Sequence, residues 1–164
     1  MIQTSNGQIS ITVNGTPTSY SDADYSAIEV NLFEGDDQVE VISNGDNAVS
    51  VWGGGGSDTM RVGTTSQYAE ASFASGEGAD NVYVNQDGSG SAIARLLLEA
   101  GSKIERLSLI DVRASGVYEI PRGIGYASLV TDDEQLYGTV DINDNSWILK
   151  DGSAGTPNES AVRN

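Results

Sequence analysis

Apolar and polar residues alternate in short runs along most of the chain, and glycine-rich turns separate the runs. Residues 39–41, 60–62 and 82–84 are three such runs, each with an apolar residue at its first and third position. Alternation with a period of two is typical of strands that bury one face. No stretch has a convincing helical period, although residues 92–98 could form one short helix. The pattern therefore predicts an all-β protein.

The runs belong to an internal repeat of 21–22 residues. Each unit has an apolar strand, a turn and the sequence Gly-x-Asp-x-apolar-x-apolar, and its aspartates are Asp37, Asp58 and Asp80. The apolar residues seven positions before them keep the same register and are Val30, Val51 and Phe73. A unit of this size cannot bury its own apolar face, so the units must stack with equivalent residues above one another.

A fourth, degenerate unit fits if three residues are added to the turn at 85–95. Its five columns are then filled by Leu96, Leu98, Glu105, Leu107 and Leu109. Strands of stacked units are parallel and about 4.8 Å apart, and connections between parallel strands are right-handed. We therefore predict a right-handed parallel β-helix, or β-solenoid, of about four coils of 21–25 residues with capping β segments.

The regularity of this pattern divides the chain into four parts. Residues 1–27 contain an entry strand and an N-terminal cap, and residues 28–112 contain the solenoid repeats. Residues 113–150 carry less regular strand patterns, which we expect to cap the C-terminal end because an open end exposes unpaired strand edges. Residues 151–164 form a small polar tail.

The charge and the missing residue types exclude several classes of function. The 164 residues include 24 acidic and 8 basic side chains, for a net charge of −16, and they include no Cys and no His. A zinc thiolate site, a thiol nucleophile and a Ser-His-Asp triad are therefore excluded. Nucleic acids and anionic membranes attract clustered cations, which this chain lacks. No apolar run approaches the roughly 20 residues of a membrane span. We expect neither nucleic-acid binding nor membrane insertion.

Stacking the units also stacks their aspartates, about one coil spacing apart. Two carboxylates about 5 Å apart repel by roughly 0.8 kcal/mol in water, which opposes the stacking that forms the core. A divalent cation reverses the sign, and calcium binds carboxylate and backbone carbonyl oxygens. A second acidic column could form at the other turn of the coil, where Asp24 and Asp46 are 22 residues apart.

Residues 51–60, with four glycines followed by Ser57 and Asp58, resemble the nonapeptide repeat of the RTX proteins, the secreted hemolysin-type calcium binders. Residues 33–39 and 74–82 are weaker copies, and the resemblance covers about residues 9–85. In that family the turn carbonyls and the aspartate bind calcium between coils. The resemblance implies that calcium is held here by the carboxylates of Asp36, Asp37, Asp58 and Asp80 and by the turn carbonyls of Gly35, Gly56 and Gly78.

The chain also departs from that family. The RTX roll repeats nine residues twice in each coil, whereas here one turn in each coil of 21–22 residues carries the motif. This difference favours a wider β-helix. In the alternative interpretation the glycines serve tight turns, and the aspartates are either solvated or accept hydrogen bonds from turn amides.

The predicted function is that of a non-enzymatic extracellular structural protein, a calcium-stabilised solenoid that self-assembles in a surface layer, matrix or filament. One alternative is a calcium-binding accessory or polysaccharide-binding module of a secreted enzyme or adhesin. Trp52, out of phase with Val51, could then contact the glycan. A second alternative, an enzyme acting on acidic polysaccharide, needs an acid and a base in a groove. We predict no catalytic residues.

The predicted location is extracellular or on a bacterial cell surface. Residues 1–5 have none of the basic, apolar or cleavage regions of a signal peptide. RTX proteins are exported through a C-terminal signal, which agrees with this absence. The lack of Cys is also compatible with such a location.

Overall fold

The computed structural model describes residues 8–21, 24–43, 48–63, 68–86, 90–96, 104–120, 128–143, 146–149 and 162–163. Within these ranges every regular element is a β-strand, as the alternating pattern predicts. In chain order the strands are β1 Gln8–Val13, β2 Thr16–Ser21, β3 Ala27–Asn31, β4 Gln38–Ser43, β5 Ala48–Trp52, β6 Thr59–Val62, β7 Tyr68–Ala74, β8 Asn81–Val84, β9 Ser91–Leu96, β10 Ile104–Val112, β11 Gly116–Glu119, β12 Ser128–Leu136, β13 Thr139–Asp141, β14 Ser146–Leu149 and β15 Val162–Arg163.

The strands form two sheets, and from β3 onward the chain alternates between them. Sheet A has the order β14-β12-β10-β8-β6-β4-β1-β2, and sheet B has the order β15-β13-β11-β9-β7-β5-β3. Neighbouring strands are parallel except at β1, which is antiparallel to β2 and β4. Four coils from β3 to β10 each contribute one strand to each sheet. This arrangement confirms the predicted all-β, parallel β-solenoid.

The predicted columns of the first three coils are confirmed. Val51 pairs with Val30 and Phe73, while Met60 pairs with Val39 and Val82. The inward side chains of β4, β6 and β8 are almost completely buried, as are those of β5 and β7. Stacking therefore produces one continuous core between the sheets, in which Phe73, Met60 and Tyr118 are among the largest buried side chains.

The predicted register of the fourth unit is wrong. Ile110 pairs with Val82, and Val112 pairs with Val84, in place of Leu107 and Leu109. Glu105 consequently does not take the aspartate position of that coil. The physical reason is that residues 107–112 carry apolar side chains in both phases of a strand, and a shift by one residue exchanges the buried face for the exposed one.

The sheet B strand of this coil also departs from the predicted register, by two residues in the opposite direction. Leu96 pairs with Phe73, whereas the predicted columns place it in register with Ala71. Residues 91–96 form β9, so the short helix that the sequence allowed at 92–98 does not form in its described part.

The segment 113–150, predicted as a C-terminal cap, continues both sheets in its described residues. β12 is parallel to β10, β14 is parallel to β12, and β13 is parallel to β11. Within the predicted tail, β15 adds to sheet B beside β13. The spacing between paired residues varies more here than in the first three coils, which explains why the repeat is hard to recognise.

Residues 8–21, within the segment predicted as an entry strand and N-terminal cap, form a β-hairpin. Asn14 and Gly15 form its turn with φ values of 48° and 74°. This left-handed pair suits the twist of a two-residue hairpin. The hairpin continues sheet A beside β4, and its Ile11 is buried against the core. Among the described residues, none forms a helix that is both long and apolar enough to cross a membrane.

Candidate functional site

The glycine-rich turns of the first three coils stack directly on one another. They connect β3 to β4, β5 to β6, and β7 to β8, and Gly55 bridges Glu34 on one side and Glu77 on the other. The Gly55 N–H donates to Phe33 O at 2.7 Å, and the Glu77 N–H donates to Gly54 O at 2.8 Å. The turn backbones are therefore paired from coil to coil, as strands are.

This pairing brings the turn backbones so close that side chains do not fit at several glycine positions. A Cβ on Gly56 would overlap the Gly35 carbonyl oxygen, and a Cβ on Gly78 would overlap the Gly56 carbonyl oxygen. Both glycines also have φ values in the left-handed region, 123° and 144°. The predicted carbonyl ligands Gly35, Gly56 and Gly78 thus form one column, in which each of the first two carbonyls packs against the next glycine.

Asp37, Asp58 and Asp80 form a second column, which we name the aspartate ladder. The Asp37 N–H donates to Asp58 Oδ1 at 3.0 Å, and the Asp58 N–H donates to Asp80 Oδ1 at 2.8 Å. Asp58 and Asp80 therefore each accept a hydrogen bond from the backbone of the preceding coil. This is one of the two roles that the alternative interpretation assigns to the aspartates.

The ladder begins at a residue that the sequence reasoning missed. Asn14 Nδ2 donates to Asp37 Oδ1 at 2.5 Å, and the Gln38 N–H donates to Asn14 Oδ1 at 2.8 Å. An amide suits this end because it donates to the first carboxylate while accepting from a backbone amide. The separation of 23 residues from Asp37, close to the repeat length, was the signal that could have identified Asn14.

The ladder is buried and only half satisfied. Asp58 and Asp80 have no exposed surface. The Oδ2 atoms of Asp37, Asp58 and Asp80 are also buried and accept no hydrogen bond. Burial raises the pKa of Asp80 to about 6, although the hydrogen bond from the Asp58 backbone opposes the shift. Burial also raises the pKa of Asp58. Because a buried charge without a partner is costly, the free oxygens of Asp58 and Asp80 favour a proton or a cation.

The donor chemistry of the ladder fits calcium, which binds carboxylate and carbonyl oxygens. A Cβ on Gly53 would lie 2.5 Å from Asp58 Oδ2 and would overlap the Ser75 carbonyl oxygen, so a carboxylate and a carbonyl lie on the same side of that turn. Within the described ranges, no three acidic side chains converge as a closed metal site requires. The ladder thus offers single carboxylates from successive coils.

The other predicted ligands lie elsewhere or outside the described residues. Asp36 is exposed, and its Oδ1 accepts a hydrogen bond from the Ser57 N–H at 2.8 Å. Asp24 is exposed in the turn before β3, whereas the ladder lies after β3, so the length of that strand separates them. Asp46, the other member of the proposed second column, lies outside the described residues.

A second buried carboxylate lies in the fourth coil and was not predicted. Asp111 is 2% exposed, and Arg113 Nη2 donates to its Oδ2 at 2.7 Å while Arg113 Nε lies 2.6 Å from its Oδ1. The same guanidinium donates to Gln135 Oε1 at 3.0 Å and lies 4.9 Å from the ring centre of Tyr137. The spacing of two residues on a strand, which places both side chains on one face, was the only sequence signal.

Comparison of the chain with models of known protein families, with curated proteins and with solved structures found no match.

Proposed function

We propose that this chain is a non-enzymatic extracellular structural protein, a calcium-stabilised β-solenoid that assembles with copies of itself in a surface layer, matrix or filament. The observation that carries the proposal is the half-satisfied aspartate ladder. Asp58 and Asp80 are buried, and each has an oxygen without a hydrogen-bond donor. A cation at these oxygens offsets the cost of burying the charges and links successive coils. Stability would then depend on calcium.

The ladder serves the stack itself, which favours a structural role for it over a catalytic one. The Oδ1 atoms of Asp58 and Asp80 accept hydrogen bonds from backbone amides of the preceding coil, and Asp37 Oδ1 accepts one from Asn14 Nδ2, so each carboxylate is fixed in position. A general acid or base must instead reach a substrate. Self-association is supported by the ends of the solenoid, because within the described ranges β2 and β3 each have one neighbouring strand in their sheets. Such edges are templates for pairing with another chain.

Thermal unfolding in excess calcium and in excess chelator tests the calcium part. We expect a higher melting temperature in calcium. Asp58→Asn keeps an acceptor for the Asp37 N–H and removes the charge, so this variant should unfold at a similar temperature in both buffers. Glu29→Gln removes an exposed charge on β3 and is the matched control, which should keep the calcium response. A melting temperature of the unaltered protein that ignores the chelator would overturn calcium stabilisation.

Light scattering after size-exclusion chromatography tests self-association. We expect particles whose mass increases with protein concentration in calcium. Monomers of 17.2 kDa at every concentration would contradict assembly.

A polysaccharide-binding module is the second candidate, and aromatic residues on the outer faces favour it. Trp52 is half-buried beside the buried Val51, and Tyr83 is half-buried with the Arg61 guanidinium 4.9 Å from its ring centre. Titration with neutral and acidic polysaccharides, followed by tryptophan fluorescence, tests this candidate. Saturable binding that Trp52→Ala abolishes would favour it over the structural role.

A further inference from the structure

We propose that the N-terminal end of the solenoid is the docking surface for the C-terminal end of a second copy of this chain, so that copies stack head to tail. This inference rests on the proposed self-assembly and names the surfaces that carry it. We call β3, together with Tyr25 and Phe33, the N-terminal end surface.

The first observation is the conformation of Phe33. Its side chain is 73% exposed, and its φ is 69°, a region that side chains with a Cβ rarely adopt. The equivalent positions of the next two coils are Gly54 and Gly76, with φ values of 97° and 90°. A Cβ on Gly54 would overlap Phe33 O, and a Cβ on Gly76 would overlap Gly54 O, which establishes the column.

A phenylalanine at this position gives the isolated molecule little benefit. Glycine would adopt the same backbone without strain, and the exposed ring buries little apolar surface. In the next two coils a ring could not fit, because another coil lies against the glycine. The first coil is the place in this column where a large side chain can project beyond the stack. Strain and exposure at one residue suggest a partner that covers the ring.

The second observation is that the inward apolar side chains of β3, beside Phe33, are only partly buried. Ile28 and Val30 on β3 are half-buried, whereas Val49 and Val51, their partners on β5, are 2% and 0% exposed. Among the described residues, β3 is the last strand of sheet B, so no further coil within those residues covers these side chains. Tyr25, which is 47% exposed, adds a second aromatic ring to the same end.

The shape of the two ends indicates what covers this surface. At the N-terminal end, sheet A extends by β1 and β2 beyond β4, while sheet B stops at β3. At the other end of the described chain, sheet B extends by β15 beyond β13, while sheet A stops at β14. The steps therefore face in opposite directions. When a second copy follows in the same orientation, its projecting sheet B strand approaches β3 and its shorter sheet A edge approaches β2.

The distribution of charge favours the same orientation. The first sixty residues contain nine acidic and no basic side chains, and the first cation is Arg61. Residues 95–164 contain eleven acidic and seven basic side chains. Contact between two N-terminal ends would bring the most negative regions together, whereas head-to-tail contact joins a strongly negative end to a weakly negative one. A head-to-tail interface that does not close into a ring produces a filament.

Phe33→Gly tests the surface without endangering the fold. Glycine removes the exposed ring and relieves the strained backbone, so circular dichroism should be unchanged and the melting temperature of the monomer should not fall. We expect association, measured by sedimentation velocity in calcium, to need at least tenfold higher protein concentration. Tyr83→Thr removes an aromatic ring from the side of the third coil and is the control, which should associate like the unaltered protein.

Energy transfer between labelled copies tests the orientation. Because the chain has no Cys, Thr18→Cys on β2 and Thr139→Cys at the start of β13, two exposed positions, can each carry one dye. We expect stronger transfer between Thr18-labelled and Thr139-labelled copies than between two Thr18-labelled populations. The reverse order would overturn head-to-tail stacking.

The association measurements distinguish failure of the N-terminal end surface from failure of self-assembly. If the unaltered protein assembles and Phe33→Gly assembles equally well, the N-terminal end surface is overturned while self-assembly stands. If the unaltered protein remains monomeric at every concentration, the proposed self-assembly itself is overturned.

Discussion

The first three coils and the coils that follow stack in the same two sheets, but they differ in the groups that lie beside their buried carboxylates. In the first three, Asp58 and Asp80 are buried in a column of like charges, and their unused oxygens have no donor. In the fourth coil, Asp111 is buried beside Arg113, which donates to it. Burial of a carboxylate therefore does not require an external cation in this fold. The early coils are the ones that would respond to calcium.

The distribution of basic residues along the chain agrees with this difference. No Lys or Arg occurs before Arg61 on β6, so the first coil and the turn between β5 and β6 contain no internal cation. Glycines dominate those turns, and their backbones approach too closely for a long side chain. A proton, or a small ion with oxygen ligands, fits such a place better than a guanidinium group.

Gly56→Val should have the largest effect, because it breaks the stacking on which the early coils depend. The new Cβ would overlap the Gly35 carbonyl, and φ at this position is 123°, which a β-branched residue does not tolerate. We expect a loss of about 4 kcal/mol in the free energy of unfolding, measured with urea.

Gly15→Ala is the matched control for that substitution. Gly15 has a φ of 74°, but no atom lies within 4 Å of the new Cβ, so only the conformational cost of about 1 kcal/mol remains. Equal losses for the two variants would mean that backbone conformation alone, and not close approach, requires the glycines.

The pH dependence of stability should have the next largest effect. Burial raises the pKa of Asp80 in the folded state from 3.8 to about 6. The associated stability is complete below about pH 3.8 and is lost as the pH rises through 6. In metal-free buffer the ladder should therefore favour unfolding at pH 7 relative to pH 4, by on the order of 3 kcal/mol.

Asp80→Asn isolates this contribution, because it keeps an acceptor for the Asp58 N–H without the charge. Denaturant unfolding between pH 4 and pH 8 should give a flatter profile for the variant, which should be more stable than the unaltered protein at pH 7. If the two profiles have the same slope, Asp80 is not the group that titrates.

The register of the early coils was predicted correctly because the apolar columns and the aspartate column have the same spacing. The positions of Val39, Met60 and Val82 follow from those of Asp37, Asp58 and Asp80, and all are spaced by the same 21–22 residues. The fourth coil was misaligned because Leu107, Leu109, Ile110 and Val112 allow two registers. Burial of Ile110 and Val112 selects one of them only once the neighbouring strand is in place.

The site was predicted as a column of aspartates but not as a set of hydrogen bonds. Asn14 was missed because it belongs to an antiparallel hairpin, which lies outside the repeat although its side chain continues the ladder. Asp111 was missed because its burial depends on Arg113, Gln135 and Tyr137 from different coils. Contacts of this kind leave no periodic signal in one sequence.

Arg113→Ala tests the contribution of the buried ion pair in the later coils. Removing the guanidinium leaves Asp111 buried without its donor, which should cost about 2 kcal/mol because the arginine itself is one-third exposed. The double variant Asp111→Ser, Arg113→Ala should recover part of the loss in chemical denaturation. Calcium should restore neither variant; rescue by calcium would contradict the proposed difference between the two regions.

Asn14→Asp should have the smallest effect and extends the ladder by one carboxylate. The change replaces the amide that donates to Asp37 Oδ1 with an acceptor, so a hydrogen bond becomes a repulsion between two carboxylates near the surface. We expect a loss of about 1 kcal/mol in chelator, as is typical of one partly exposed hydrogen bond. The loss should be smaller in calcium, because a cation that binds the ladder also screens the added charge. Melting curves of Asn14→Asp and Asn14→Ser in both buffers separate the two contributions, since serine removes the donor group of the amide without adding charge. If both variants lose the same stability in both buffers, the charge of the ladder does not govern the early coils.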